Sequence, residues 1–261
     1  HFRQCVARFT LHRVEGDHIR CRSRDVETIA APIGVPVDEL QALALDPDVG
    51  REVERIKAMM GNRQLVLGVD RLDYTKGIPE RLTAFERLLR GSKGARARYA
   101  LIQVMVPSRT DVKAYSDLKR EVDRMVGDIN GRYAETGRVP IHYLYRNLSQ
   151  RALFAHYRAA DVALVTPLRD GMNLVAHEYV AARTDDDGVL VLSEFAGAAK
   201  HLKGAVLVNP YDAETTASAI QRALTMPPAE KKRRMRALRS EVMRLDVHRW
   251  ADEYIRALEG R

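Results

Sequence analysis

Two polar loops, each placed directly after an apolar run, hold the residue types best suited to chemistry. The first is Arg71-Leu72-Asp73-Tyr74-Thr75-Lys76-Gly77, which follows Leu65-Val66-Leu67-Gly68-Val69-Asp70. The second is Thr166-Pro167-Leu168-Arg169-Asp170-Gly171-Met172-Asn173, which follows Leu164-Val165 and opens a helical stretch carrying Glu178. Arg71 and Lys76 offer two cations where a strand ends, and a helix N-terminus behind Gly171 adds partial positive charge. Cations, closely approaching backbone N–H groups and a helix dipole together suit a diphosphate. Taken alone, an Arg and a Lys five residues apart read more readily as surface ion pairs, and their place after a buried strand with Gly77 behind brings the two readings level. Asp170 to Asn173 likewise reads as a tight turn with Asn173 as the N-cap. Glu178 suits two ribose hydroxyls, or else a partner on its own helix such as Arg183. Arg109, after Val106-Pro107-Ser108, puts a cation at a third strand end.

Other chemistries find no support. There is no G-x-S-x-G, no H-E-x-x-H, no Walker sequence and no G-x-G-x-x-G, which argues against a nicotinamide dehydrogenase. No divalent metal or other cofactor is implied, and Thr184-Asp185-Asp186-Asp187-Gly188 reads as a solvated surface turn. Cys5 and Cys21 are too few for a disulfide framework and suggest a reduced, cytoplasmic setting. No run is long enough to span a bilayer and no signal peptide is evident, so no membrane role is expected. The net charge of +8 comes from 43 basic and 35 acidic residues. The densest basic run, Lys231-Lys232-Arg233-Arg234-Met235-Arg236, has no aromatic neighbour, which argues against nucleic acid as a partner. The chain begins at His1 and reads as a piece of something longer.

The elements that must position these residues follow from apolar patterning. Continuous apolar strands are expected at 65–69, 99–106, 141–144, 162–165, 189–192 and 205–208. Helices are expected over 48–60, from Pro79 to about Leu89, over 112–136, from a Ser149 cap to about Ala160, over 174–183, from an Asp212 cap to Leu224, and twice more in the tail. Buried strands alternating with helices predict an α/β fold, a Rossmann-like doubly wound parallel sheet with ligands at the carboxyl ends of its strands. Near the N-terminus, Phe9–Leu11 and His18–Cys21 are expected as two short strands around Glu15-Gly16-Asp17. Trp250, Tyr254 and Leu258 form an apolar helical stripe that reads as core.

Four segments, Arg71–Gly77, Thr166–Ala176, Leu192–Ala199 and Val208–Asp212, together resemble the C-terminal half of the trehalose-6-phosphate synthases, glycosyltransferase family 20. The resemblance implies a two-domain enzyme of the GT-B type that moves glucose, with retention, from UDP-glucose to glucose 6-phosphate. Through it, Arg71 and Lys76 become the catalytic cations on the donor diphosphate, and Asp170 meets hydroxyls of the donor sugar. The backbone of Gly171, Met172, Asn173, Leu174 and Val175 wraps the sugar nucleotide, and Glu178 takes the ribose. Leu148 lies beside the nucleobase through backbone contacts, and Arg109 holds the acceptor phosphate. Ser193–Ala199 reads as packing that shapes the pocket, and His177 stands where the family often has lysine.

Residues 1–31 then correspond to the end of an N-terminal domain, 32–38 to a linker, and 39–261 to the nucleotide-sugar domain, whose last helix crosses back. With the N-terminal half missing, these residues alone are expected to bind donor and turn over poorly. Close alternatives are a glucosylglycerol-phosphate synthase using ADP-glucose, ADP-glucose or GDP-glucose in place of UDP-glucose as donor, and a non-catalytic nucleotide-sugar-binding module. The resemblance leaves a homo-oligomer open.

Overall fold

The computed structural model describes residues 2–91, 94–109 and 111–259. Helix α1 (Phe2–Phe9) precedes a small antiparallel sheet of β1 (Arg13–Glu15), β2 (His18–Cys21) and β3 (Arg24–Glu27). The strand expected at Phe9–Leu11 is therefore absent. Phe2, Cys5, Val6 and Phe9 recur at helical spacing, and that period wins over a three-residue alternation. The turn at Gly16 and the strand His18–Cys21 stand as expected. Residues 28–36 contain no helix or strand.

A helix that the sequence reading did not separate comes next, α2 (Val37–Ala44). It leads into α3 (Pro47–Met60), capped by Asp46, then β4 (Gln64–Arg71), a single 3-10 turn at Tyr74–Lys76, and α4 (Ile78–Gly91). The alternation continues through α5 (Ala95–Arg98), β5 (Tyr99–Val106), α6 (Lys113–Tyr133), β6 (Ile141–Tyr145), α7 (Gln150–Ala159) and β7 (Val162–Val165). After these come α8 (Leu174–Ala182), β8 (Val189–Ser193), a 3-10 turn at Gly197–Lys200, β9 (Val206–Val208), α9 (Ala213–Leu224), α10 (Pro228–Arg244) and α11 (Val247–Leu258). Ser149 and Asp212 cap α7 and α9 as their positions predict.

β4 to β9 form one sheet in the order β6-β5-β4-β7-β8-β9, and every pairing is parallel. The period of two divides the core. Leu65, Leu67 and Val69 of β4 join one cluster with α2, α3, α7, α8 and α10, while Val66 joins the other with α4, α6 and α9. This is a sheet buried on both faces, as continuous apolar strands require. The chain builds outward from β4 to β6, then returns to the other side of β4 with β7. The switch point, where ligands of such sheets bind, therefore lies outside the carboxyl ends of β4 and β7. No helix among the described residues is long and apolar enough to cross a membrane.

Two surface expectations need correction. The Trp250 stripe is not core: α11 has no buried residue, and Leu258 is 73% exposed. Trp250 instead stacks on Tyr254 and donates its Nε1–H to the Ala31 carbonyl at 3.1 Å. A helical stripe of this period looks the same in sequence whether or not something covers it. The Asp185–Asp187 turn is more than solvated, since Asp186 pairs with Arg236 and Arg239 of α10 at 2.8 and 2.6 Å. Part of the basic run is thus spent inside the chain.

Candidate active site

The two loops meet at the switch point. Beyond β4, Asp73 caps the 3-10 turn, its Oδ1 accepting from Thr75 N at 2.9 Å and Thr75 Oγ1 at 2.8 Å. The Thr75 carbonyl accepts from Leu168 N at 2.7 Å and Arg169 N at 3.4 Å, which sews the turn to the loop after β7. Gly77 ends the turn with φ of 64°, and a Cβ there would lie 2.3 Å from the Thr166 carbonyl oxygen. Glycine is required both for the left-handed backbone and for the close approach.

Beyond β7, Asp170 organises the second loop. Its Oδ2 accepts from Lys76 Nζ at 2.6 Å and from Asn173 Nδ2 at 3.1 Å, and its Oδ1 from Met172 N at 3.3 Å. A bridge from Asp170 to Ala196 packs the Ser193–Ala199 segment against this loop. Asn173 occupies the N-cap position of α8 with φ of 76°, but its side chain makes no capping bond. The expected cap fails because the amide is turned back to Asp170. The first-turn N–H groups of α8 therefore receive no side-chain cap; that of Ala176 donates to the Asn173 carbonyl at 3.3 Å, and those of Leu174 and Val175 are left for a ligand.

Arg71, Lys76, Asp170 and Glu178 line one crevice of about 410 Å³. Met172, Asn173, Leu174 and Val175, with Val69 and Asp70 of β4, complete its wall. Arg71 is exposed at the rim and has no acidic partner among the described residues. Glu178 is not paired with Arg183, which binds Asp185 instead. Its Oε2 accepts from the fully buried Tyr157 hydroxyl at 2.8 Å, which leaves Oε1 for the crevice. Burial pushes the Glu178 carboxyl above the usual carboxylate range, against the opposing Tyr157 hydrogen bond.

Three nominated residues lie apart. Gly171 lines a neighbouring cavity of about 680 Å³ that shares Asp170. Leu148 lines a separate cavity of about 240 Å³ between α3, β6 and α7. Arg109 lies in the loop after β5, with its guanidinium 5.8 Å from the Tyr115 ring centroid.

The sequence reading missed Arg81. This α4 side chain is 1% exposed and ties together β4, β5 and the loop after β7. It pairs with Asp70 of β4, and its Nη1 reaches Gln103 Oε1 of β5 at 3.1 Å. Its Nε reaches Thr166 Oγ1 at 3.0 Å, and its Nη2 the Lys76 carbonyl at 3.4 Å. The available signal was a cation on the apolar face of α4, beside Ile78, Leu82 and Phe85, with Asp70 and Gln103 inside apolar strands.

Known proteins share this fold. The sequence profile of glycosyltransferase family 20 matches residues 1–260. The chain belongs to glycosyltransferase family 20. Within that family it is 48% identical, over 241 residues, to the trehalose-6-phosphate synthase of Mycobacterium leprae, covering 92% of this chain and 48% of that protein. It is 46% identical, over 257 residues, to the bifunctional trehalose-6-phosphate synthase/phosphatase of Thermoproteus tenax, covering 98% of this chain and 35% of that protein. The chain thus spans half or less of the length of these curated relatives. Among solved family members, the UDP-forming alpha,alpha-trehalose-phosphate synthase from Burkholderia xenovorans in complex with glucose-6-phosphate superposes with a TM-score of 0.93 at 42% identity. That match covers 99% of this chain and 58% of the other. An E. coli structure bound with UDP-2-fluoro glucose gives a TM-score of 0.94 at 38% identity, over 98% of this chain and 57% of the other.

Proposed function

We propose that the switch-point crevice binds a nucleotide-glucose, with UDP-glucose the favoured donor, and serves transfer of glucose to glucose 6-phosphate, giving trehalose 6-phosphate. One observation carries this reading. Two strand-end cations, an uncapped helix N-terminus and an anchored carboxylate converge on one crevice, in a chain of glycosyltransferase family 20. The names of the Burkholderia and E. coli structures, with glucose-6-phosphate and UDP-2-fluoro glucose, support the choice of substrates.

In this reading Arg71 and Lys76 neutralise the donor diphosphate, and the first turn of α8 adds its N–H groups. Lys76 now spends its charge on Asp170. A diphosphate competes for that ammonium and frees Asp170 to accept a hydroxyl of the donor sugar. Glu178, held at one oxygen by Tyr157, takes the ribose. As the bond from the anomeric carbon to the diphosphate breaks, its electron pair goes to the leaving oxygen, where the two cations meet the growing charge. The acceptor oxygen attacks from the same face, with retention, and its proton passes to the departing phosphate oxygen. This route needs no protein base and no metal.

The acceptor phosphate falls to Arg109 and the nucleobase to the backbone at Leu148. Residues 1–31 belong to a preceding domain and 32–38 to a linker, and a cytoplasmic setting suits a nucleotide-sugar substrate. Calorimetric titration of the chain with UDP-glucose, ADP-glucose and GDP-glucose tests the donor. Tightest binding of UDP-glucose is expected. Preference for another base would change the donor, and no binding of any would remove the reading.

A further inference from the structure

Arg109 is held by more than its own loop. Its φ of 46° lies in the left-handed region that non-glycine residues rarely adopt, and such residues collect at functional sites. Its Nη1 donates to the Tyr115 hydroxyl at 3.2 Å. Tyr115, in the first turn of α6, is 3% exposed, and its hydroxyl donates to Asp73 Oδ2 at 3.4 Å. The other oxygen of Asp73 caps the turn that carries Lys76. One polar line therefore crosses from the loop after β5 to the loop after β4.

The direction of this line is fixed by chemistry. A guanidinium only donates and a carboxylate only accepts, so the single tyrosine proton must point to Asp73. Burial acts to raise the Asp73 pKa, but the bonds from Thr75 and Tyr115 bring it below the usual carboxylate range. The hydroxyl lone pairs then face Arg109, one N–H of the guanidinium is spent on them, and the rest stay available for an oxyanion.

We propose that Tyr115 and Asp73 are positioning residues that set the Arg109 guanidinium for the phosphate of a sugar-phosphate acceptor. The proposal rests on the acceptor role given to Arg109 above. A purely packing role for Tyr115 is the rival, since its ring also meets Tyr74 edge-on at 5.8 Å. Phenylalanine separates the two, because it keeps the ring and removes only the middle of the line.

The test is a nitrogen-15 NMR titration of the chain with glucose 6-phosphate, following the Arg109 Nε–Hε resonance, beside a UDP titration. In the wild type, glucose 6-phosphate should move that resonance. Tyr115→Phe should weaken glucose 6-phosphate about fivefold, the size of one hydrogen bond, while UDP affinity stays within about twofold. Unchanged glucose 6-phosphate affinity in Tyr115→Phe would overturn the positioning role. If UDP binds but glucose 6-phosphate leaves wild-type Arg109 unmoved, the acceptor assignment falls and this proposal with it, while the donor site stands. Failure of both ligands in the wild type would remove the functional reading itself and the positioning role built on it.

Discussion

A carboxylate pinned at one oxygen and open at the other has a pH dependence that can be derived. Burial raises the Glu178 pKa in the folded chain above its unfolded value, so the folded state holds that proton more tightly. The contribution to stability is full below the unfolded pKa and is lost as pH rises through the raised folded value. The proposed ribose contact runs the other way, because a hydroxyl donates more strongly to an ionised carboxylate than to a neutral carboxyl. UDP affinity should therefore fall as pH drops through the raised Glu178 pKa, above the usual carboxylate range. Glu178→Gln should lose roughly tenfold in affinity at neutral pH and should flatten that part of the profile. Comparing the two profiles by calorimetry removes titration of the nucleotide's own phosphate. Parallel profiles would show that Glu178 does not meet the ligand.

At the scale of elements, α4 is fixed to β4, β5 and the loop after β7 through Arg81, and the loop carrying Lys76 is fixed with it. Arg81→Met should cost about 3–5 kcal/mol in urea unfolding, because Asp70 is left buried and unpaired. Removing both charges, as Arg81→Met with Asp70→Asn, should cost less than Arg81→Met alone. If it costs as much, the pair is not coupled as described. Gly68 makes room for this hub in mid-strand, since a Cβ there would lie 2.5 Å from Gln103 Oε1 and 2.7 Å from Arg81 Nη1. Gly68→Ala should destabilise by about 1–3 kcal/mol in the same assay.

These elements also show what the sequence could and could not convey. Strands such as Tyr99–Val106 were legible to the residue, because a fully buried strand writes itself as an unbroken apolar run. The strand-end loops were legible because Arg71, Lys76 and Glu178 interrupt that pattern with residues that serve no core. Arg81 and Tyr157 were not, since each meets its partners on other elements, at separations that no local period records. Asn173 stands at the N-cap position that its type suggests, but only the fold places Asp170 where it captures the amide and leaves the capping bond unmade.

For the whole molecule, length governs what can be expected. The chain spans 48% of the Mycobacterium leprae relative and 58% of the Burkholderia structure. The crevice proposed for the donor holds Arg71 and Lys76, and Arg109 is the residue proposed for the acceptor phosphate. Assayed alone, these 261 residues should bind UDP yet form no trehalose 6-phosphate above background when given UDP-glucose and glucose 6-phosphate. Rapid turnover would show that the acceptor pocket needs nothing beyond this chain.

The central claim is that the strand-end cations hold a nucleotide diphosphate, and calorimetric titration of UDP into the wild-type chain and Arg71→Ala tests it most directly. Saturable binding that weakens about 10- to 100-fold in the variant, the cost of a charge-assisted phosphate contact, is the predicted result. Equal affinity in both proteins would contradict it, and the cations would then be surface charges with no part in the site.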